Sequence, residues 1–143
     1  MPLTLEQAST LVDAALAEAT ARGFAPMCVV VLDAGGHALA LKRDERASIG
    51  RPEIAIAKAA GCLGMGFGGR ELAKRAEKMP GFFNALAAVF PKGIVPLPGG
   101  VLIRDAGRAL LGAVGVSGDT SDNDEICAVA GIIAVGLIGD TGA

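Results

Sequence analysis

The segment from Gly99 to Ala134, GGVLIRDAGRALLGAVGVSGDTSDNDEICAVAGIIA, constrains the fold more than any other part of the chain. Two aliphatic runs, Val101 to Arg104 and Ala109 to Val116, flank the turn Asp105-Ala106-Gly107-Arg108. A connection that short joins antiparallel strands, because a parallel crossover needs about a dozen residues or more. After the second run come Asp119, Asp122, Asp124 and Glu125, acids suited to the positive end of a helix dipole. The helix that follows is expected to bury Ile126, Ala130, Ile133 and Leu137.

The same hairpin grammar occurs earlier. Cys28 to Leu32 is apolar and β-branched, Asp33-Ala34-Gly35-Gly36 supplies the turn, and His37 to Lys42 returns as a second strand. This places His37 at the loop end of that strand, close to solvent or to a neighbouring subunit. Thr4 with Gln7 forms a capping box, and Leu5, Ala8, Val12, Ala15, Leu16 and Ala19 then share one helical face until Gly23. Pro52 suits the first turn of a helix that should end near Ala60. Gly61, Gly64, Gly66, Gly68 and Gly69 predict a loop or broken helix after it. Helical character returns from Glu71 to Met79, followed by an apolar piece, Phe82 to Phe90, and a Pro/Gly connection to Gly100 that has room for a fifth strand at Ile94 to Leu97. The order is α, ββ, helices, ββ, α. Strands joined by hairpins and helices with apolar stripes give an α+β fold, a central antiparallel sheet of four to five strands flanked by helices.

At 143 residues the chain is read as one domain, 1–143. No apolar run reaches the roughly 18 to 20 residues of a membrane span, so no membrane partner is expected. MPLTLEQAS lacks the basic and apolar regions of a signal peptide. Cys28, Cys62 and Cys127 are odd in number and far apart, the pattern of reduced buried thiols, which favours a cytoplasmic location. Between Lys42 and Lys92 there are ten Lys/Arg against five Asp/Glu, a basic middle in a chain of net charge −2. That balance fits an anionic small molecule as well as a solvated helix face. With no Trp or Tyr and five Phe, the stacking platforms used for nucleic acid are largely missing, and no nucleic-acid partner is expected.

Taken in order, TLEQA, VVVLDAGGHALAL, IAIAKAAG, PGGVLI, GAVGVSG and DNDEICAVAG resemble the GlcG/HbpS-like family over nearly the whole chain. The resemblance implies a profilin-like or PAS-like fold and self-association to dimers or octamers. It also implies binding, and in some members degradation, of haem, or a place in the catabolism of small carboxylates.

Several residues are candidates for chemistry. His37 is the only imidazole and so the foremost iron ligand, with Lys42, Arg43 or Arg51 available for propionates. A lone histidine on a hairpin is more often an exposed turn residue than an axial ligand. Lys58 is the single amine in an apolar helix and is the catalytic candidate, as a base or carboxylate anchor; the bland alternative is a charge snorkelling to the surface. Gly99-Gly100 and Ser117-Gly118 offer backbone amides to an anion, or merely permit turns and caps. No serine–histidine–acid order, HExxH pair or Walker loop is present. Three functions remain open: a small-ligand-binding protein taking haem or a related tetrapyrrole; an isomerase, tautomerase or lyase acting on a small carboxylate; and an oligomeric accessory module without catalysis.

Overall fold

The computed structural model describes residues 1–143. Helix α1 (Leu5–Arg22) opens on the expected capping box and closes on Gly23, whose left-handed φ of 70° favours a residue without a Cβ. Its buried face is Ala8, Leu11, Val12, Ala15 and Ala19, whereas Leu5 points to solvent. Strands β1 (Cys28–Asp33) and β2 (Ala38–Arg43) form the first hairpin, and β3 (Gly100–Arg104) and β4 (Leu110–Ser117) the second. Between the hairpins lie α2 (Arg51–Met65), α3 (Gly69–Lys78) and α4 (Pro80–Leu86); α5 (Ser121–Ala134) and a short β5 (Ile138–Asp140) end the chain.

All five strands join one antiparallel sheet in the order β2-β1-β4-β3-β5. The fifth strand is not the expected Ile94 to Leu97. Ile138–Asp140 pairs with β3 instead, and Arg104 Nε clasps Asp140 Oδ2 at 2.9 Å across the pair.

Alternation along β1 divides the core in two. Val29 and Val31 face α1 and α5, while Cys28, Val30 and Leu32 face α2. A strand buried on both sides cannot show a polar alternation, which is why Cys28 to Leu32 reads as an unbroken apolar run. The molecule is thus a three-layer arrangement with helices on both faces of the sheet.

Helix α2 does not stop at Ala60. It continues through Gly61 and Gly64 to Met65 because these glycines are contact points rather than breaks. A Cβ on Gly61 would lie 2.7 Å from Ile94 Cγ1, and one on Gly64 would lie 3.0 Å from the Phe90 ring. The sheet answers with its own glycine: a Cβ on Gly115 would meet the Ala55 carbonyl oxygen at 1.9 Å, so the helix backbone rests directly on β4.

Helix α5 is rotated from the expected face. It buries Asp124, Cys127, Ala128, Gly131 and Ile132, leaving Ile126 partly and Ile133 largely exposed. The reason is close packing on α1, where a Cβ on Gly131 would approach the Leu11 carbonyl oxygen to 2.7 Å. Small residues therefore take the interface and the isoleucines turn outward. No helix is long and apolar enough to cross a membrane, and all three cysteines are free and buried.

Candidate functional site

The sheet has two ends, and the sequence candidates divide between them. Cys28 pairs with both Arg43 and Ser117, so those three residues form a row at one end. Asp33 and the turn to His37 lie at the other end, about 17 Å away for five residues at a strand rise of about 3.4 Å.

The Ser117 end gathers most of the candidates. Lys58 Nζ, almost fully buried, donates to Asp124 Oδ2 and to the Val116 carbonyl oxygen, each at 3.0 Å. The other Asp124 oxygen accepts from the Asp119 N–H at 2.9 Å, and the nearby Gly118 N–H also favours the charged carboxylate. One amide of the loop after Ser117, that of Asp119, is therefore taken by Asp124 of the same chain. Gly99, at φ 111°, leaves the space the amine occupies, since a Cβ there would lie 2.8 Å from Lys58 Nζ. Gly100 supports the helix in the same way, with its missing Cβ 2.6 Å from the Lys58 carbonyl oxygen. Arg51 Nη1 donates to the buried Ser117 Oγ at 3.1 Å.

Burial pushes the Asp124 carboxyl above its usual value; the Lys58 ammonium and the loop amides pull the other way. No buried side-chain polar atom lacks a partner. None of the five surface clefts is lined by Arg51, Lys58, Gly99, Gly100, Ser117, Gly118 or Asp124. Burial likewise holds the three thiols in their neutral form, Cys28 and Cys127 pushed up to about 11 and Cys62 to about 12.

The opposite end is open. Asp33 Oδ1 accepts the N–H groups of Gly35 and His37, both at 3.0 Å, which fixes the turn. The His37 amide first, and the Gly35 amide with it, hold the Asp33 carboxyl below its ordinary value against the effect of burial. The same oxygen lies 3.4 Å from His37 Nδ1, on a ring whose side chain is 79% exposed. Neither ring nitrogen makes a hydrogen bond; Nδ1 is the one on the carboxylate side, which leaves Nε2 the more accessible to a metal.

Beside the turn lies a cleft of about 340 Å³, lined by Ala34, Gly35, Gly36, Ala60, Leu63, Gly64, Phe90, Pro91 and Lys92. Lys92 Nζ donates to the Gly36 carbonyl oxygen and is the one charged residue of the lining. Sequence reasoning missed it. The available signal was a lone cation in the Pro/Gly connection, immediately after Phe90-Pro91. Lys42, Arg43 and Arg51, the cations expected near His37, all lie toward the Ser117 end. No group of three or more His, Cys, Asp or Glu converges in the way a protein-only metal centre requires.

This geometry can be set beside known proteins. No curated protein matches the chain in sequence. Among solved structures, HbpS of Streptomyces reticuli, in a double-mutant form, is 30% identical over 93% of this chain and 86% of its own, with a TM-score of 0.79. A PduOC:haem complex is 24% identical and superimposes with a TM-score of 0.85 over 98% of this chain and 99% of that one. Protein ORFY of Klebsiella pneumoniae is 25% identical, covering 94% and 90%, with a TM-score of 0.82. The profile described as "Haem degrading protein HbpS-like" matches residues 3–133, nearly the full length, and the chain therefore belongs to the HbpS-like family.

Proposed function

We propose that this protein binds haem or a related tetrapyrrole at the His37 end of its sheet, with His37 Nε2 as the protein ligand to iron. The observation that carries the reading is the imidazole itself: Asp33 fixes its backbone N–H, Nδ1 lies 3.4 Å from the same carboxylate, Nε2 is unbonded, and the residue follows directly on Gly35 and Gly36 of the cleft lining. Relatives point the same way, one having been crystallised with haem and the family being named for haem degradation.

Each part of this end has a task. Asp33 sets the ring orientation, Gly35 and Gly36 keep the approach to the ligand free of side chains, and Leu63 and Phe90 exclude water from the face that lies against the protein. A bound iron supplies redox and oxygen chemistry that no residue here provides. A cleft of about 340 Å³ is small and open for a macrocycle, so this reading needs a second subunit over the outer face of the ligand; the outward apolar stripe Ile126, Val129 and Ile133, on the opposite helical layer, is a separate candidate for self-association.

The carboxylate-enzyme reading rests on Lys58, whose amine is already bonded to Asp124 and Val116 and borders no cleft. It requires that pair to open before the amine meets a substrate. Titration with haemin, followed by absorbance, tests the proposal. Saturable binding with a shifted Soret band, weakened in His37→Ala and unchanged in Arg51→Ala, is expected; a spectrum indistinguishable from free haemin overturns it.

A further inference from the structure

The cleft beside His37 has a composition that selects its ligand more narrowly than an apolar pocket does. Of its nine lining residues, Ala34, Gly35, Gly36, Ala60 and Gly64 carry at most a methyl group. Ala60 and Gly64 stand four residues apart on α2 and so share a helix face. The Phe90 ring is seated against Gly64, where even a Cβ would be 3.0 Å from Cζ. A slot floored by small residues and walled by one phenyl ring accepts a flat apolar body better than a branched one.

Lys92, an exposed side chain, adds a charge at the rim. Its ammonium donates to the Gly36 carbonyl oxygen and forms no salt bridge, unlike Lys42 with Asp13 at 2.7 Å or Lys58 with Asp124 at 3.0 Å. An ammonium carries three donors, and the carbonyl takes one. The remaining two lie at the mouth of the slot without an anionic partner from the chain. A carboxylate on the ligand completes this arrangement with charge-assisted hydrogen bonds.

We infer that Lys92 is the carboxylate-recognition residue of this cleft, so that the protein selects planar ligands bearing free carboxylates and discriminates against their esters. This rests on the proposal that the cleft takes a tetrapyrrole, but it concerns the side groups of the ring, not the iron. The contact also ties ligand capture to the turn that carries His37, because Lys92 holds the Gly36 carbonyl.

Metal-free protoporphyrin IX and its dimethyl ester separate the two claims, since neither has iron for His37 to bind. Affinities are measured by fluorescence for the native protein, Lys92→Met and Lys92→Arg. The expected result is a preference for the free acid of about tenfold or more in the native protein. It is lost in Lys92→Met, which keeps the apolar stem, and restored in Lys92→Arg, which restores the charge. Equal affinity for acid and ester in the native protein, or an undiminished preference in Lys92→Met, overturns the inference while leaving iron ligation by His37 intact. Failure of either porphyrin to bind overturns it as well. In that event a haemin Soret band that still depends on His37 shows that iron ligation survives alone, and its absence shows that the tetrapyrrole reading has failed.

Discussion

The two ends of the sheet solve opposite problems with similar residues. At the Ser117 end an amine, a carboxylate, an arginine and a glycine-rich loop converge; the buried Lys58–Asp124 pair is satisfied within the chain, and Arg51 donates one hydrogen bond to Ser117. At the His37 end a carboxylate and a glycine turn hold an imidazole outward with one nitrogen free, beside a cleft and an unpaired cation. The first arrangement contains more of what is usually sought in an active site. The second contains what a ligand needs, which is unsatisfied valence at a surface it can reach. Convergence of polar residues locates chemistry only when something is left over for a substrate.

On the proposed reading the Ser117 end is a stability element. Breaking a buried ion pair by removing one partner costs about 3–5 kcal/mol, and Lys58→Met should lower stability by that order with haemin affinity unchanged, as denaturant unfolding and Soret titration would show. The deficit should shrink on acidification. Asp124 already has its pKa raised by burial, and loss of Lys58 raises it further, so the folded variant holds a proton at pH values where the unfolded chain has released it. Stability is then lost as pH rises through the folded value and regained as it falls. A pH-independent deficit would argue against the pair.

Gly115→Ala should come next. Its added methyl must displace the Ala55 carbonyl and the α2 backbone with it, and overpacked cores lose about 1–3 kcal/mol. A melting temperature equal to that of the native protein would contradict the contact between helix and sheet.

At the open end the stability effects shrink. Asp33→Ala removes acceptors from two turn amides and should cost on the order of 1 kcal/mol. In the native protein the Asp33 pKa is lowered, so its stabilisation is complete above the ordinary carboxylate value of 3.8 and lost as pH falls through the lower folded value. Protection of the Gly35 and His37 amides, measured against the intrinsic exchange rate at each pH, should fall over that acid range in the native protein, and should show no such step in Asp33→Ala. His37→Ala should change stability least, within about 0.5 kcal/mol as for other exposed positions, while changing haemin binding most. Sedimentation of Ile133→Glu at micromolar concentration tests the proposed self-association; a species no smaller than the native one would remove the α5 stripe from the interface.

What could be read from the sequence follows from how local each signal is. Both hairpins, the capping box at Thr4 and the acid-started α5 depend on residues within a few positions of one another, and all are present. The extension of α2 was not legible, because Gly61 and Gly64 break helices by intrinsic propensity and are kept here by Ile94 and Phe90, which arrive from a later connection. The same applies to α5, where side-chain size pointed to the isoleucines and close approach to α1 selected the small face. Lys58 stood out as a single amine in an apolar helix, but its partner lies 66 residues away and nothing local joins them. Lys92 sits among prolines and glycines that read only as connection, and its place beside His37 comes from tertiary structure.

The central claim is that the ligand occupies the His37 end and not the Ser117 end. Haemin added to uniformly ¹⁵N-labelled protein tests it most directly, since the paramagnetic iron broadens nearby amide resonances. The account predicts selective broadening at Gly35, Gly36, Gly64 and Lys92, with Gly99, Gly118 and Asp119 left sharp. Broadening centred on Gly99, Gly118 and Asp119 would contradict it.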